Sequence, residues 1–244
     1  MQNATYIALS GQMAMQRQMD VVANNMANLA TPAFKGEQVL FSQYLVHPRG
    51  SEPLAYAQDA GTMRDLRQGS LSSTGNPLDF AIQGSGYFTV QTPLGARYTR
   101  NGHLQLDSQG QLVTSQGYPV LSAAGQPVVL PANARDVTVA PDGTISVSQN
   151  GTITQPILGT LQVVDFPAPL SVTPAANGLW VTDQTPQPST ATVQQGMVEE
   201  SNVQPVVEIT RMLDVARAAG SFKTFLDEED QRRGNAIDKL SKTS

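Results

Sequence analysis

The chain has 244 residues, of which 14% are charged, and its formal net charge at pH 7 is −5. This acidic balance argues against a nucleic-acid surface, because phosphate binding needs clustered lysine and arginine. The sequence contains no cysteine, which excludes disulfides and thiolate metal sites. The 20 glycines and 16 prolines favour turn-rich β structure over a helical bundle.

An amphipathic helix is predicted near the N-terminus, within residues 1–32. Thr31 precedes Pro32, and a residue before proline is disfavoured in the helical conformation, so the helix should end there. Apolar side chains recur along it at intervals of three and four residues, at Met15, Met19, Val22, Met26 and Leu29.

The first thirty residues do not resemble a secretory leader. Polar side chains such as Gln12, Gln16 and Asp20 interrupt every apolar run, and no cationic segment precedes one. No stretch approaches the length of a membrane span. We therefore expect no membrane insertion, and no cleaved leader if the protein works outside the cytoplasm.

Residues 33–71 are predicted to form a linker or extended arm. Short apolar clusters there are separated by Pro48, Gly50, Pro53 and Gly61, so no regular period is sustained.

A central antiparallel β domain is predicted over residues 72–195. Apolar residues alternate with polar ones as in half-buried strands, at Phe80/Ile82, Phe88/Val90, Leu104/Leu106, Val137/Val139, Ile145/Val147, Leu161/Val163 and Leu179/Val181. Turn signals fall between these pairs, and tight hairpins use glycine for positive φ angles. The signals are Asn101-Gly102, Gln109-Gly110, Ala124-Gly125, Asp142-Gly143 and Asn150-Gly151.

A second amphipathic helix is predicted within residues 196–244. Ser201–Pro205 is a helix start signal, and the stripe that follows is Met212, Val215, Ala219, Phe222 and Leu226. Neither terminal stripe is long enough to form a stable helix alone in water. Periodicity leaves two possibilities open: the helices pair within one monomer, or they join separate copies.

An asparagine cluster lies inside the first helix, at Asn24, Asn25 and Asn28. Asparagine is a mediocre helix former, so the cluster needs a reason. In one interpretation the amides satisfy carbonyls at a fraying helix end. In the other they pair across a helix–helix seam and fix its register.

Enzyme chemistry is poorly supported. The histidines, His47 and His103, lie in a predicted loop and strand, and Gly84-Ser-Gly86 lacks the third glycine of a dinucleotide fingerprint. The acidic run at 227–230 is better explained as a solvated helix face than as a cation site. We expect no catalytic activity, no cofactor and no metal.

Three blocks of the chain resemble the flagellar rod and hook protein family. Val22–Lys35 is similar to its N-terminal signature, and Gln195–Arg217 to its C-terminal signature. The segments Pro77–Phe88, Tyr98–Gly102 and Gly117–Leu121 resemble the part that rod and hook proteins share. Ala33 stands where the family usually has glycine, which puts a positive-φ turn there in doubt.

The resemblance implies a structural subunit of the bacterial flagellar basal-body rod. The segments Tyr6–Ser10 and Phe225–Asp230 are most similar to a proximal rod protein, and a distal rod protein is the alternative. It implies an α+β, discontinuous fold, in which paired N- and C-terminal helices form a helical tube domain beside the central antiparallel all-β domain. A self-contained β-sheet binding module is a second alternative. A glycan-cleaving enzyme is a third: Asp79 and Asp107 are among many carboxylates in the sequence, but no spacing picks out a catalytic pair.

The implied partners are copies of the chain, other proximal and distal rod subunits and the flagellar export apparatus, with no nucleic acid. The implied location is the rod within the periplasm. Polymerisation would use a helix seam made of Met15, Met19, Val22, Asn24, Asn25, Met26, Asn28, Leu29, Asn202, Val206, Ile209, Met212, Leu213, Ala216 and Phe222.

Overall fold

The computed structural model describes residues 2–46, 54–131, 134–149 and 157–241. His47, the Asn150-Gly151 turn signal and part of the predicted arm lie outside the described residues. The chain divides into two compact units. Unit 1 consists of residues 1–29, 36–65 and 203–244, and unit 2 of residues 30–35 and 66–202.

Unit 1 contains one helix from each end of the chain and a long β-hairpin between them in sequence. Its elements are α1 (Gln2–Ala27), β1 (Glu37–Val46), β2 (Leu54–Arg64) and α2 (Pro205–Ser241). Proline suits the first position of α2, because that position has no intrahelical partner for an N–H and needs the φ angle that proline fixes. At the C-terminal end of α1, the Asn28 side-chain amide donates to the Asn24 carbonyl at 2.9 Å.

The hairpin carries one irregularity. Leu40 pairs with Gly61 and Phe41 pairs with Asp59, which leaves Ala60 as an extra residue in β2. Gly61 takes a φ of +114° there, and its N–H donates to the Asp59 carboxylate at 2.8 Å. Glycine adopts this angle without the steric cost that a Cβ imposes, so the bulge is encoded locally.

The predicted fold class is wrong in its helical part. The described residues contain two α-helices, one near each end of the chain, and they do not form a helical tube domain of their own. Their compact unit also includes the β1–β2 hairpin, and both strands contact α1. An apolar stripe shows that one face of a helix is covered but does not show what covers it. The central region is mostly β, so a general α+β description remains compatible.

The predicted domain boundaries stay predictions. Within the segment predicted as linker or arm, the structure has β1 and β2.

Unit 2 is built from short strands, and every strand pairing among the described residues is antiparallel. Its strands are β3 (Leu71–Ser73), β4 (Phe80–Gln83), β5 (Tyr87–Thr92), β6 (Gly95–Thr99), β7 (Leu104–Leu106), β8 (Leu112–Thr114), β9 (Ala134–Val139), β10 (Thr144–Gln149), β11 (Ile157–Thr160), β12 (Val163–Asp165), β13 (Thr173–Pro174), β14 (Trp180–Val181), β15 (Gln187–Pro188), β16 (Thr192–Gln195) and β17 (Met197–Glu199). Short 3-10 turns occur at Pro169–Ser171 and Ala176–Gly178.

The largest sheet has the order β13-β14-β6-β5-β12-β15. A three-stranded sheet, β11-β10-β9, and the pairs β16-β4, β17-β3 and β7-β8 complete unit 2. The pairs β16-β4 and β17-β3 join the last strands of unit 2 to its first strands. The first strands therefore gain these partners only when the C-terminal strands have folded.

Strand β5 is covered on both faces, not half-buried as its alternating pattern predicts. Phe88 and Val90 belong to the main apolar core with Phe80, Ile82 and Leu104. The intervening Tyr87 belongs to a second cluster that contains Tyr98, Phe166 and Trp180. Burial raises the pKa of the Tyr98 phenol, and the nearby Arg97 charge lowers it by less.

Gly102 differs from the other turn glycines predicted in the sequence. Gly110, Gly125 and Gly143 have positive φ angles, as expected for tight turns, whereas Gly102 does not. It lies against the backbone of Phe80 instead, where a Cβ would stand 1.7 Å from the carbonyl oxygen. The Phe80 N–H donates to the Gly102 carbonyl at 2.9 Å. This glycine is required for close approach, not for its φ angle.

Ala33 keeps the turn that its side chain put in doubt. It has a φ of 57° and is buried, and its N–H donates to the Glu199 carbonyl at 2.8 Å. The surrounding contacts of unit 2 therefore hold an alanine in a conformation that costs it about 1–2 kcal/mol.

Candidate subunit interface

Helix α2 is apolar on two different sides. Val215 is buried, and Met212 and Phe222 are partly buried on the same side. A second stripe, with spacings of three, four and three residues, is exposed. It consists of Val206 (76% exposed), Ile209 (47%), Leu213 (51%) and the exposed Ala216. We call these four residues the α2 outer stripe. Such spacing is the pattern by which one helix packs on another.

Helix α1 also has a covered and an uncovered side. Among residues 7–27, its buried positions are Ala8, Gly11, Ala14, Val21, Val22 and Asn25. A Cβ placed on Gly11 would lie 2.7 Å from Cζ of Phe222, so glycine at this position lets the aromatic ring approach α1 closely. Leu9 and Met13, one turn apart, are exposed.

Asn25 is the centre of a buried polar contact in unit 1. Its amide nitrogen donates to the Glu37 carbonyl and its amide oxygen accepts from the Glu37 N–H, both at 2.9 Å. The same nitrogen reaches Oε2 of Glu208 at 3.4 Å. Asn25 thus fixes the start of β1 on α1 and also contacts α2.

The asparagines of the cluster have different roles. Asn25 makes the contacts above, Asn28 donates to a terminal carbonyl of its own helix, and Asn24 is exposed. The interpretation as a helix end fits Asn28. Asn25 pairs with a strand backbone and a carboxylate, which neither interpretation from the sequence included.

The residues predicted for the seam do not share one exposed surface. Val22 and Asn25 are buried, and Met15, Met19, Met26, Asn28, Leu29, Met212 and Phe222 are partly buried. Asn24, Val206, Ile209, Leu213 and Ala216 are exposed. Asn202 lies in unit 2, partly buried, and its amide nitrogen donates to the Arg67 carbonyl at 2.9 Å. Leu9 and Met13, four residues apart, are exposed as well and are not among the residues predicted for the seam.

Asn25→Ala is expected to destabilise unit 1 by about 1–3 kcal/mol, because the backbone N–H and carbonyl of Glu37 and the Glu208 carboxylate lose a buried partner. Asn24→Ala is the matched control, since the exposed neighbour should change stability by less than about 0.5 kcal/mol. Hydrogen exchange of α1 amides in both variants measures the difference. Equal protection in the two variants would remove Asn25 from this role.

The carboxylates considered for glycan cleavage are used in hydrogen bonds within unit 2. Asp79 is buried and accepts from Thr74 Oγ1 at 2.6 Å and Asn76 Nδ2 at 3.0 Å, and its Oδ1 lies 2.8 Å from His103 Nδ1. Asp107 accepts from the N–H groups of Gln109 and Gln111, each at 2.8 Å. Across the described part of the chain, no three acidic or histidine side chains are grouped to hold a metal ion. In the same part, no helix is both long and apolar enough to cross a membrane.

Known proteins match this chain over nearly its whole length. The model of the flagella basal body rod protein family matches residues 6–35, that of the flagellar hook protein FlgE/F/G D1 domain residues 81–154, and that of the flagellar basal body rod FlgEFG protein C-terminal region residues 194–218. The chain is 36% identical over 251 residues to a flagellar basal-body rod protein FlgF of Caulobacter vibrioides, covering 99% of each chain. The chain belongs to the flagellar basal-body rod protein family.

Within the rod family, the chain is more similar to FlgF than to FlgG. A FlgF of Mesorhizobium japonicum is 35% identical over 248 residues, covering 100% of both chains. A FlgG of Buchnera aphidicola is 31% identical over 263 residues, covering 93% of this chain and 95% of the relative. The resemblance seen in the sequence is confirmed: the protein is a structural subunit of the flagellar basal-body rod, located in the basal body and assembling with other rod subunits.

The matched rod-family segments contain the buried polar contacts. Asn25 lies in the first matched segment and Glu208 in the last. In unit 2, Lys35, Arg100 and Glu199 come one from each of the three matched segments and form a buried ion cluster. Sequence reasoning missed this cluster, because nothing local distinguishes a charge that will be buried from one that will be solvated.

Proposed function

We propose that this rod protein is a proximal rod subunit that joins its neighbours through the exposed apolar faces of its terminal helices. The observation that carries the proposed mode of joining is the α2 outer stripe, and the greater similarity to FlgF than to FlgG supports the proximal assignment. Three large aliphatic side chains lie at helix-packing spacing and are left largely exposed by the subunit itself. Exposed apolar rows of this kind are expected where another helix or subunit docks.

The energetics favour a repeated contact. Full burial of a large aliphatic side chain is worth roughly 1.5–3 kcal/mol. The aliphatic side chains of the α2 outer stripe still expose about half or more of their surface, so an interface could bury that part. A modest gain per subunit recurs at every copy in an ordered rod. The role needs no reaction, and we propose that the subunit has no catalytic activity.

The alternative of a self-contained β-sheet binding module is less well supported. In that case the terminal helices would serve only their own subunit, and the α2 outer stripe would have no use.

The proposal is tested by removing the gene in its own organism and restoring it with a tagged copy. The tagged chain should co-purify with basal bodies and restore motility. A chain that restores motility but is absent from purified basal bodies would contradict the assignment.

We further propose that the subunit reaches the periplasm through the flagellar export apparatus, as its family membership suggests. The periplasmic fraction should then lose the chain when that apparatus is inactivated. An unchanged periplasmic level would overturn this route and leave the rod assignment standing.

A further inference from the structure

Three charged side chains are buried together in unit 2. Lys35 is 2% exposed, Arg100 6% and Glu199 1%. Lys35 Nζ lies 2.5 Å from Oε1 of Glu199, and Arg100 Nε lies 2.8 Å from Oε2. One carboxylate therefore contacts two cations, from positions 164 and 99 residues away in sequence, and balances the charge of one of them.

Each member of the cluster also binds backbone. Lys35 Nζ donates to the Arg67 carbonyl at 2.7 Å, and the Gly69 N–H donates to Oε1 of Glu199 at 3.1 Å. Arg100 donates to the carbonyls of Gly86 at 2.8 Å and Gly84 at 3.0 Å. These carbonyl dipoles help to offset the positive charge that two cations and one carboxylate leave in a buried site.

Backbone hydrogen bonds surround the cluster. The Asn202 N–H donates to the Phe34 carbonyl at 3.2 Å, and the Glu200 N–H donates to the Ser70 carbonyl at 2.9 Å. Together with the Ala33 bond to Glu199, they join three segments: 33–35, 67–70 and 199–202. In sequence these segments lie at the places where the chain passes between unit 2 and unit 1.

We propose that Lys35, Arg100 and Glu199 form a charge clamp that fixes these three chain ends of unit 2 in one arrangement. The main apolar core of unit 2 contains no residue of the three segments, so polar contacts have to hold them. A buried ion triad is costly to desolvate and adds little net stability, but it rejects arrangements that leave a charge unpaired. The inference does not depend on how the subunit assembles.

The members of the clamp are not equivalent. Glu199→Gln removes the carboxylate that both buried cations contact, whereas Lys35→Met leaves the Glu199–Arg100 pair intact. Glu199→Gln should therefore loosen all three segments. Lys35→Met should mainly loosen the hydrogen bonds between segments 33–35 and 199–202. Opening of the segments is expected to be local, because the core strands keep their apolar contacts.

The test is amide hydrogen exchange in the full chain, comparing Ala33, Gly69 and Asn202 with the core amides of Leu112 and Val120. Glu199→Gln should accelerate the first group at least about tenfold and leave the second unchanged, since breaking a buried pair costs several kcal/mol. Glu200→Gln is the control: the same charge is removed at the next position, where the side chain is exposed and bonds Ser70 Oγ. The control should leave both groups at their original rates.

Two results would overturn the clamp. One is unchanged exchange at Ala33, Gly69 and Asn202 in Glu199→Gln. The other is uniform acceleration across unit 2, which would make the cluster a general stability element. If Glu199→Gln fails to fold, Lys35→Met decides: the Ala33 and Asn202 amides should exchange about tenfold faster, and full protection there would contradict the proposal.

Discussion

Leu213→Asp is expected to abolish incorporation of the subunit into the rod while leaving the free subunit folded. About half of the Leu213 side chain is already exposed, so a carboxylate there meets water in the isolated chain. In an interface the same carboxylate would be buried without a partner, at a cost of several kcal/mol. A loss of 3 kcal/mol corresponds to roughly a hundredfold weaker association at each contact.

The measurement is the amount of chain in purified basal bodies, with thermal unfolding of the free subunit alongside it. Leu213→Met keeps the apolar surface and should incorporate normally. Thr210→Asp adds the same charge at an exposed position outside the α2 outer stripe and should be tolerated better. Wild-type incorporation of Leu213→Asp would exclude the stripe as a subunit interface. Met19→Asp could not make this distinction, because Met19 is partly buried and a carboxylate there would also destabilise the folded subunit.

Gly102→Ala is expected to destabilise unit 2 by about 3 kcal/mol or more. The added Cβ would lie 1.7 Å from the Phe80 carbonyl oxygen and 3.1 Å from the Phe88 ring. A backbone oxygen cannot rotate away as a side chain can, so β4 would have to shift and disturb Phe80, which is fully buried in the main core. The expected result is a clear fall in the free energy of unfolding of unit 2, measured by denaturant titration.

Gly220→Ala is expected to change stability in the opposite direction to Gly102→Ala. Gly220 lies inside α2, and a Cβ there meets nothing within 4 Å. Alanine should stabilise the helix by roughly 0.5–1 kcal/mol through its higher helix propensity. A Gly102→Ala variant as stable as the wild type would show that β4 and the Asn101-Gly102 turn can separate without cost.

The sequence predicts the terminal helices and the antiparallel character of the centre, because both depend on local periodicity. It does not predict the hairpin that shares a unit with the helices. The stripe through Met19 and Val22 requires a covered face but not a particular cover, and a strand satisfies it as well as a helix does.

The predicted seam stays a prediction, and its residues lie on two sides of α2. The sequence groups Val206, Ile209 and Leu213, which are exposed, with Met212 and Phe222, which lie on the covered side of the same helix. A helix with apolar residues on two sides shows no single period, so deciding which side is covered requires the tertiary structure.

Long-range features have no local signal at all. Lys35 and Glu199 are ordinary charged residues in sequence, and only the folding of distant segments makes them a buried pair. Gly102 resembles a turn glycine beside Asn101, yet its actual constraint comes from the backbone of Phe80. Ala33 was doubted on steric grounds, and the hydrogen bond to Glu199 holds it in the turn.

A density map of the assembled rod, resolved to side chains, would test the central proposal most directly. The map should place Val206, Ile209 and Leu213 against the helices of neighbouring subunits, with most of their exposed surface covered. A rod in which these three side chains face open solvent, and subunits contact one another only through unit 2, would contradict it.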